Sequence, residues 1–201
     1  MLYVVKGDLP IEAVNKARDI GIVGCDIETT GLDPKTCEPK LFQMRVMEDD
    51  YVVRLDAGYP HNITDLLLNM RISKIFHYAM FDLGFLRYHY GIQTSNVICT
   101  KTAVKILDPD HNRKHSLKDL VSFYFGVTLN KTLATSNWDE LTPEQLAYVQ
   151  DDVRYLEKLW TQLKGELQVA GKLDVAERAF RVLPLAVEIK HADLPEGVFS
   201  Y

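Results

Sequence analysis

Apolar positions along the 201-residue chain change their spacing partway. Up to about Cys99 they come in short alternating or continuous runs, and beyond it they recur at helical intervals. Residues 3–5 read as a short strand. Asp8-Leu9-Pro10 opens a helix, with Asp8 or a neighbour as its cap and Pro10 in its first turn. Residues 22–28 form a buried strand, and 41–47 and 51–55 the arms of a hairpin around Glu48-Asp49-Asp50. A helix over 63–70, a buried strand over 74–76, a helix over 81–90 stopped by Gly91, and a short strand over 96–99 follow.

The later pattern is helical. Ser116-Leu117-Lys118-Asp119 fits a capping box and opens a helix that turns Leu120, Val121, Tyr124 and Phe125 inward and stops at Gly126. Thr142-Pro143-Glu144-Gln145 is a second box, with proline at the first helical position. In the helix it opens, Val149, Val153, Leu156, Trp160 and Leu163 make one apolar stripe. Tyr148 and Asp152, four residues apart, border that stripe, whereas Asp151 falls on the solvated side with Arg154 and Lys158. Pro184 and Pro195 break the C-terminal helical stretch, and a loosely packed tail is expected from about residue 185. The length fits a single domain over residues 1–201.

Composition narrows the class. At 47% hydrophobic and 25% charged residues the chain matches an ordinary soluble globular protein. No apolar run approaches the roughly 20 residues needed to span a bilayer, so no membrane role is expected. The N-terminus lacks the basic and apolar regions of a signal peptide. Three cysteines without CxxC spacing suggest neither a disulfide framework nor a zinc site, and a cytoplasmic location is the default. A net charge of −5 argues against nucleic-acid binding by bulk electrostatics. Residues 101–131, however, hold six basic side chains (Lys101, Lys105, Arg113, Lys114, Lys118, Lys131) against three acids (Asp108, Asp110, Asp119). That excess fits a solvated helix-and-loop face or a local basic patch.

Candidate chemistry begins at Gly24-Cys25-Asp26-Ile27-Glu28-Thr29-Thr30-Gly31-Leu32-Asp33-Pro34. Strand geometry sends Asp26 and Glu28 to the same side. Two acids at the end of a buried strand repel each other unless a cation lies between them, and hard divalent cations take carboxylate oxygens. The stretch equally fits a strand running out into solvent. Asp82 follows the strand of residues 74–76 at a helix start, where an acid also complements the helix dipole. Asp152, beside the phenol of Tyr148, needs a partner, either an arginine or a metal.

Together these residues carry a resemblance. Asp26-x-Glu28-Thr29-Thr30-Gly31-Leu32, then His77-x4-Asp82-x2-Phe85-Leu86, then Tyr148-x3-Asp152-Val153-x-Tyr155-Leu156 resemble the Asp-Glu-Asp-Asp superfamily of 3′–5′ exonucleases. The tyrosine places the likeness in the tyrosine-type branch, which includes ribonuclease D and the proofreading domains of family A DNA polymerases. His115-Ser116-Leu117-Lys118-Asp119-Leu120 and Leu141-Thr142-Pro143-Glu144-Gln145-Leu146 are most similar to ribonuclease D. The likeness covers roughly residues 20 to 165. It implies an α/β, ribonuclease H-like fold: a mixed sheet, its first three strands antiparallel, flanked by helices. Two departures stand out. Tyr78 sits where many relatives have an asparagine, and no accessory helical domain of the ribonuclease D kind is expected after residue 187.

The resemblance implies hydrolysis of phosphodiesters with two divalent ions, Mg²⁺ or Mn²⁺, which suit an all-oxygen site. Asp26 would bridge both ions, Glu28 and Asp152 would complete the first site, and Asp82 would serve the second. Tyr148 would orient the attacking water. Thr29, Leu32, His77 and Phe81 would bind substrate, with Leu32 against a base face. Single-stranded nucleic acid is the expected partner, RNA before DNA. The implied activity is a 3′–5′ exoribonuclease, the alternative being a single-stranded DNA exonuclease like a free-standing proofreading domain. An inactive binding module of the same fold and a structural domain with salt-bridged acids are the other readings. The oligomeric state is open, with a monomer as the default.

Overall fold

Six strands make one mixed sheet: β1 (Leu2–Lys6), β2 (Ile22–Thr29), β3 (Pro39–Val46), β4 (Asp49–Arg54), β5 (Ser73–Phe76) and β6 (Val97–Cys99), in the spatial order β1-β4-β3-β2-β5-β6. This computed structural model describes residues 1–194 except 111, 131, 134 and 135. Lys131 and Pro195, both used in the sequence argument, lie outside the described residues. The expected antiparallel trio is β2, β3 and β4. β1 adds a parallel edge strand against β4, and β5 and β6 continue parallel from β2. The architecture is the expected mixed sheet flanked by helices, the ribonuclease H-like exonuclease fold.

The helices among the described residues are α1 (Ile11–Ile20), α2 (His61–Leu68), α3 (Ala79–Tyr90), α4 (Thr100–Leu107), α5 (Leu117–Phe125), α6 (Pro143–Arg154), α7 (Leu156–Val169) and α8 (Leu173–His191). None is long and apolar enough to cross a membrane. Strand alternation divides β2 between two layers. Val23, Cys25 and Ile27 join the main core with Ala13, Val14 and Ala17 of α1. Gly24, Asp26 and Glu28 take the other face, which α6 and α7 cover.

Local signals placed both ends of α5, the start of α6 and the Gly91 stop of α3. Thr142 and Gln145 form the full reciprocal capping box at α6, and Ser116 accepts from the Asp119 N–H at α5. Leu117, Leu120 and Val121 are buried there, with Tyr124 and Phe125 packed partly against the core.

Four expectations need correction. Asp8 does not cap α1. Its carboxylate accepts from the backbone N–H groups of Asn62 and Ile63 at 2.7 and 3.0 Å, so it caps α2, more than fifty residues away, and Pro10 is the cap residue of α1. The helix opened at Thr142 is not continuous: Tyr155, at φ −102° and ψ −6°, separates α6 from α7. Pro184 does not break the last helix but lies inside α8, which runs to His191. Phe180, Leu183 and Val187 are buried against the core on both sides of the proline, and that packing holds the register. The loose tail expected from about residue 185 therefore does not begin before His191. Finally, α4 had no distinct signal in the sequence; at its start the Cys99 thiol accepts from Thr102 N–H at 3.4 Å, and at its end Lys172 Nζ donates to the carbonyls of Ile106 and Leu107 at 3.0 and 3.3 Å.

Candidate active site

The chain end of β2 is where the acids meet. A bulge between Glu28 and Thr29 shifts the register with β3 just past the second carboxylate, Glu28 pairing with Leu41 and Thr29 with Pro39. Gly24 lets the helical layer approach. A Cβ at Gly24 would sit 3.1 Å from the carbonyl oxygen of Val153 and 3.4 Å from Leu156 Cβ, so a side chain there would crowd the α6–α7 junction by a few tenths of an ångström. That approach brings Asp152, one residue before Val153, over Asp26 and Glu28. A carboxylate oxygen from each of the three lies within 4.8 Å of the others.

Asp82 enters from the first turn of α3 and is 2% exposed. Its Oδ1 accepts the Ile27 N–H at 3.1 Å, which ties α3 to β2 between the two strand acids. Burial, followed by the nearby Asp26 carboxylate, pushes Asp82 well above the ordinary carboxylate range. Tyr148, one turn before Asp152 on α6, is buried against Trp138 with ring centroids 5.9 Å apart. Burial, then Glu28 and Asp26, raise its phenol above the usual value. Tyr148 is thus a neutral hydroxyl at physiological pH.

These groups share one cleft of about 640 Å³. All nine residues singled out in the sequence line it: Asp26, Glu28, Asp82, Tyr148 and Asp152, together with Thr29, Leu32, His77 and Phe81. Leu32, 85% exposed, stands at the tip of the loop after β2. Thr29 Oγ1 donates to Gly31 O at 2.5 Å, and Thr30 exchanges two hydrogen bonds with Glu38, which braces that loop. His77 Nδ1 lies 2.9 Å from Thr100 Oγ1, fixing the ring between β5 and α4. Phe81 packs on Phe85 within α3. Asp151 stays outside the site, with its carboxylate 3.1 Å from Arg154 on the outer face of α6.

Further residues line the cleft that the sequence had not assigned to it. Tyr78 is half-exposed, and Lys101 Nζ lies 4.1 Å from its ring centroid. Lys118 and Ser116 come from the start of α5, and Ser136 from the loop before α6. The basic excess of residues 101–131 contained Lys101 and Lys118, but the excess alone could not say which cations face the acids. Arg113 is turned elsewhere, donating to Tyr124 and Glu166.

The donor set suits a hard divalent cation. It is all oxygen, three carboxylates converge within 4.8 Å, and a fourth, Asp82, lies beside Asp26, with its pKa raised by burial and then by that neighbour.

Comparison with known proteins agrees with this geometry. A family model for the 3′–5′ exonuclease domain of the DNA polymerase A type matches residues 3–168. Brucella melitensis NrnC, solved bound to pGG, is 29% identical and superposes with a TM-score of 0.86, covering 96% of this chain and 94% of that one. The same protein solved with bound Mg²⁺ gives the same identity and TM-score. Mus musculus exosome complex component 10 is 26% identical over 190 residues, covering 85% of this chain and 20% of that protein. Ribonuclease D of Nitrobacter hamburgensis is 27% identical over 163 residues, 78% of this chain and 42% of that protein. The chain thus spans about a fifth of the exosome relative and less than half of the ribonuclease D.

Proposed function

The chain belongs to the 3′–5′ exonuclease family, in its ribonuclease D-like group, and from that premise we propose that it hydrolyses single-stranded RNA from the 3′ end with two divalent ions. The observation that carries the reading is the convergence of Asp26, Glu28, Asp82, Asp152 and Tyr148 on one cleft. Asp26, Glu28 and Asp152 would hold one ion, and Asp26 with Asp82 the other, Mg²⁺ or Mn²⁺. Bound there, the ions supply an activated water and a counter-charge for the leaving oxygen. The neutral Tyr148 hydroxyl orients that water. Leu32 and Phe81 flank the terminal base, with Thr29 and His77 against its sugar and phosphate.

Two further features support a single-stranded end. Acids recessed under α6 meet only a phosphodiester that has left its duplex, and unstacking a base costs a few kcal/mol. The pGG bound by NrnC supports a nucleic-acid ligand for the same cleft. With a net charge of −5 and only Lys101 and Lys118 among the described cations of residues 101–131 lining the cleft, few phosphates are neutralised. Turnover is therefore distributive or weakly processive, with a shallow salt dependence. The likeness to ribonuclease D favours RNA over DNA.

Matched RNA and DNA oligomers, labelled at either end and followed through time with Mn²⁺ or Mg²⁺, test this. A 5′-labelled RNA should give a ladder shortening from the 3′ end, faster than DNA. Shortening from the 5′ end, or cleavage of DNA alone, would overturn the reading.

A further inference from the structure

Gln43 is a buried polar side chain on the sheet face that carries Asp26, and its chemistry is not accounted for above. It lies on β3, is 0% exposed, and neither its amide nitrogen nor its amide oxygen has a hydrogen-bond partner in the protein. Its position is unusual for such a residue. In the β2–β3 register it stands directly opposite Asp26, and on its other side it stands opposite Val52 of β4. Directly opposed residues of an antiparallel pair share a face, with Cβ atoms roughly 4.5–5.5 Å apart. Gln43 therefore shares the face of Asp26 and Glu28. The same face carries the small apolar cluster of Leu41, Val52, Trp138, Tyr148 and Val149, with Leu41 two residues before Gln43 on β3 and Val52 directly opposite it on β4.

A glutamine at that point is costly to the fold. A buried amide without partners loses its bonds to water and gets nothing back, and a leucine or methionine would fill the same apolar pocket without loss. Polar groups left in this condition mark places where stability has been given up for function. Two acids share its face: Glu28 lies diagonally across the register, and Asp26, the acid that both proposed ion sites share, stands directly opposite.

We propose that Gln43 is a positioning residue for Asp26. The amide, unsatisfied in the ion-free protein, donates its N–H to the Asp26 carboxylate only when ions are bound, and so favours the rotamer in which that carboxylate faces both ion sites. The apolar cluster holds the amide in place. Carboxylate ligands are oriented by hydrogen bonds from behind, and removing such a support costs about 10–100-fold in metal affinity. This role rests on the metal-dependent reading of the site given above.

The test uses Gln43→Leu and Gln43→Met in the full chain, with Mn²⁺ alone as the probe in calorimetry, alongside thermal melts and nuclease kinetics. Without metal, both variants should melt about 2–10 °C higher than wild type, because an unsatisfied amide has been removed. Their Mn²⁺ affinity should nonetheless fall by about tenfold or more. Turnover should fall with KM nearly unchanged, since Gln43 touches no substrate. A purely structural role moves the melting temperature and leaves Mn²⁺ affinity alone. A loss of affinity below threefold in whichever variant folds overturns the proposal; threefold or more sustains it. If neither variant folds, Gln43 is a determinant of the fold and the proposal falls. Wild-type protein that binds no Mn²⁺ would instead overturn the metal site itself, a separate outcome.

Discussion

Asp151 and Asp152 are consecutive residues of α6 with opposite surroundings, so Asp152→Asn and Asp151→Asn should behave in opposite ways. Asp152 is 6% exposed and its carboxylate lies within 4.8 Å of those of Asp26 and Glu28. At that separation and an effective dielectric of 20, each pair of charges repels by about 3.5 kcal/mol. The solvent reaching the partly exposed Asp26 relieves part of this in the metal-free protein. Asp152→Asn should then stabilise the metal-free fold by about 1–3 kcal/mol, a rise in Tm of about 2–10 °C. The same change removes a ligand. Wild-type protein at a hundredfold excess of Mn²⁺ over its Kd should gain about 2.7 kcal/mol, and the variant should lose most of that gain. Turnover should drop on the order of 10³-fold or more, about 4 kcal/mol of barrier. Asp151→Asn loses only the exposed pair with Arg154 at 3.1 Å, which contributes about 0–1 kcal/mol, and should leave turnover within about twofold of wild type. Melting curves with and without Mn²⁺, together with initial rates on a 3′-terminal RNA substrate, read both quantities. Similar behaviour of the two variants, or a less stable metal-free Asp152→Asn protein, would refute the assigned surroundings.

Asp26→Ala should reduce turnover by several orders of magnitude while leaving the metal-free fold intact or more stable; retention of more than a tenth of wild-type activity would end the two-ion assignment. Tyr148→Phe keeps the ring against Trp138 and removes only the hydroxyl, so kcat should fall by about 10–100-fold with Mn²⁺ affinity unchanged; an unchanged kcat would remove Tyr148 from the chemistry. Lys74 predicts a pH effect far from the acids. It is fully buried in β5, its Nζ donates to Asn69 O at 2.8 Å, and burial lowers its pKa from 10.5 to about 8. The folded state then gives up this proton at lower pH than the unfolded chain. The destabilisation is full below pH 8 and is relieved as pH rises towards 10.5. Relative to Lys74→Met, wild-type protein should gain up to about 3 kcal/mol between those limits in denaturant titrations; parallel pH profiles of the two proteins would contradict a buried ammonium.

What the sequence determined by itself lies within single elements. The i, i+2 spacing sets Asp26 and Glu28 on one side of β2 whatever packs there, because strand geometry alternates side chains. The i, i+4 spacing sets Tyr148 beside Asp152 and turns Asp151 away, and the Thr142–Gln145 box opens α6 from four consecutive residues. The order of these pieces along the chain also carried the family resemblance, and with it the sheet. What only the tertiary structure decided is which pieces meet. Asp8 sits next to α1 in sequence yet caps α2, because the first turn of α2 presents the open N–H groups of Asn62 and Ile63 to it. Gly24 has no local reason to be glycine; the close approach of the Val153 carbonyl, almost 130 residues further along, leaves little room for a Cβ. Asp82 reads as a dipole-complementing acid until α3 docks and puts its carboxylate on the Ile27 N–H. Gln43 looks like a polar residue in a hairpin arm and is instead sealed beneath α6, opposite Asp26. Backbone geometry fixes relations over a few residues, whereas burial and charge at a site come from elements brought together by packing, and no local spacing encodes them.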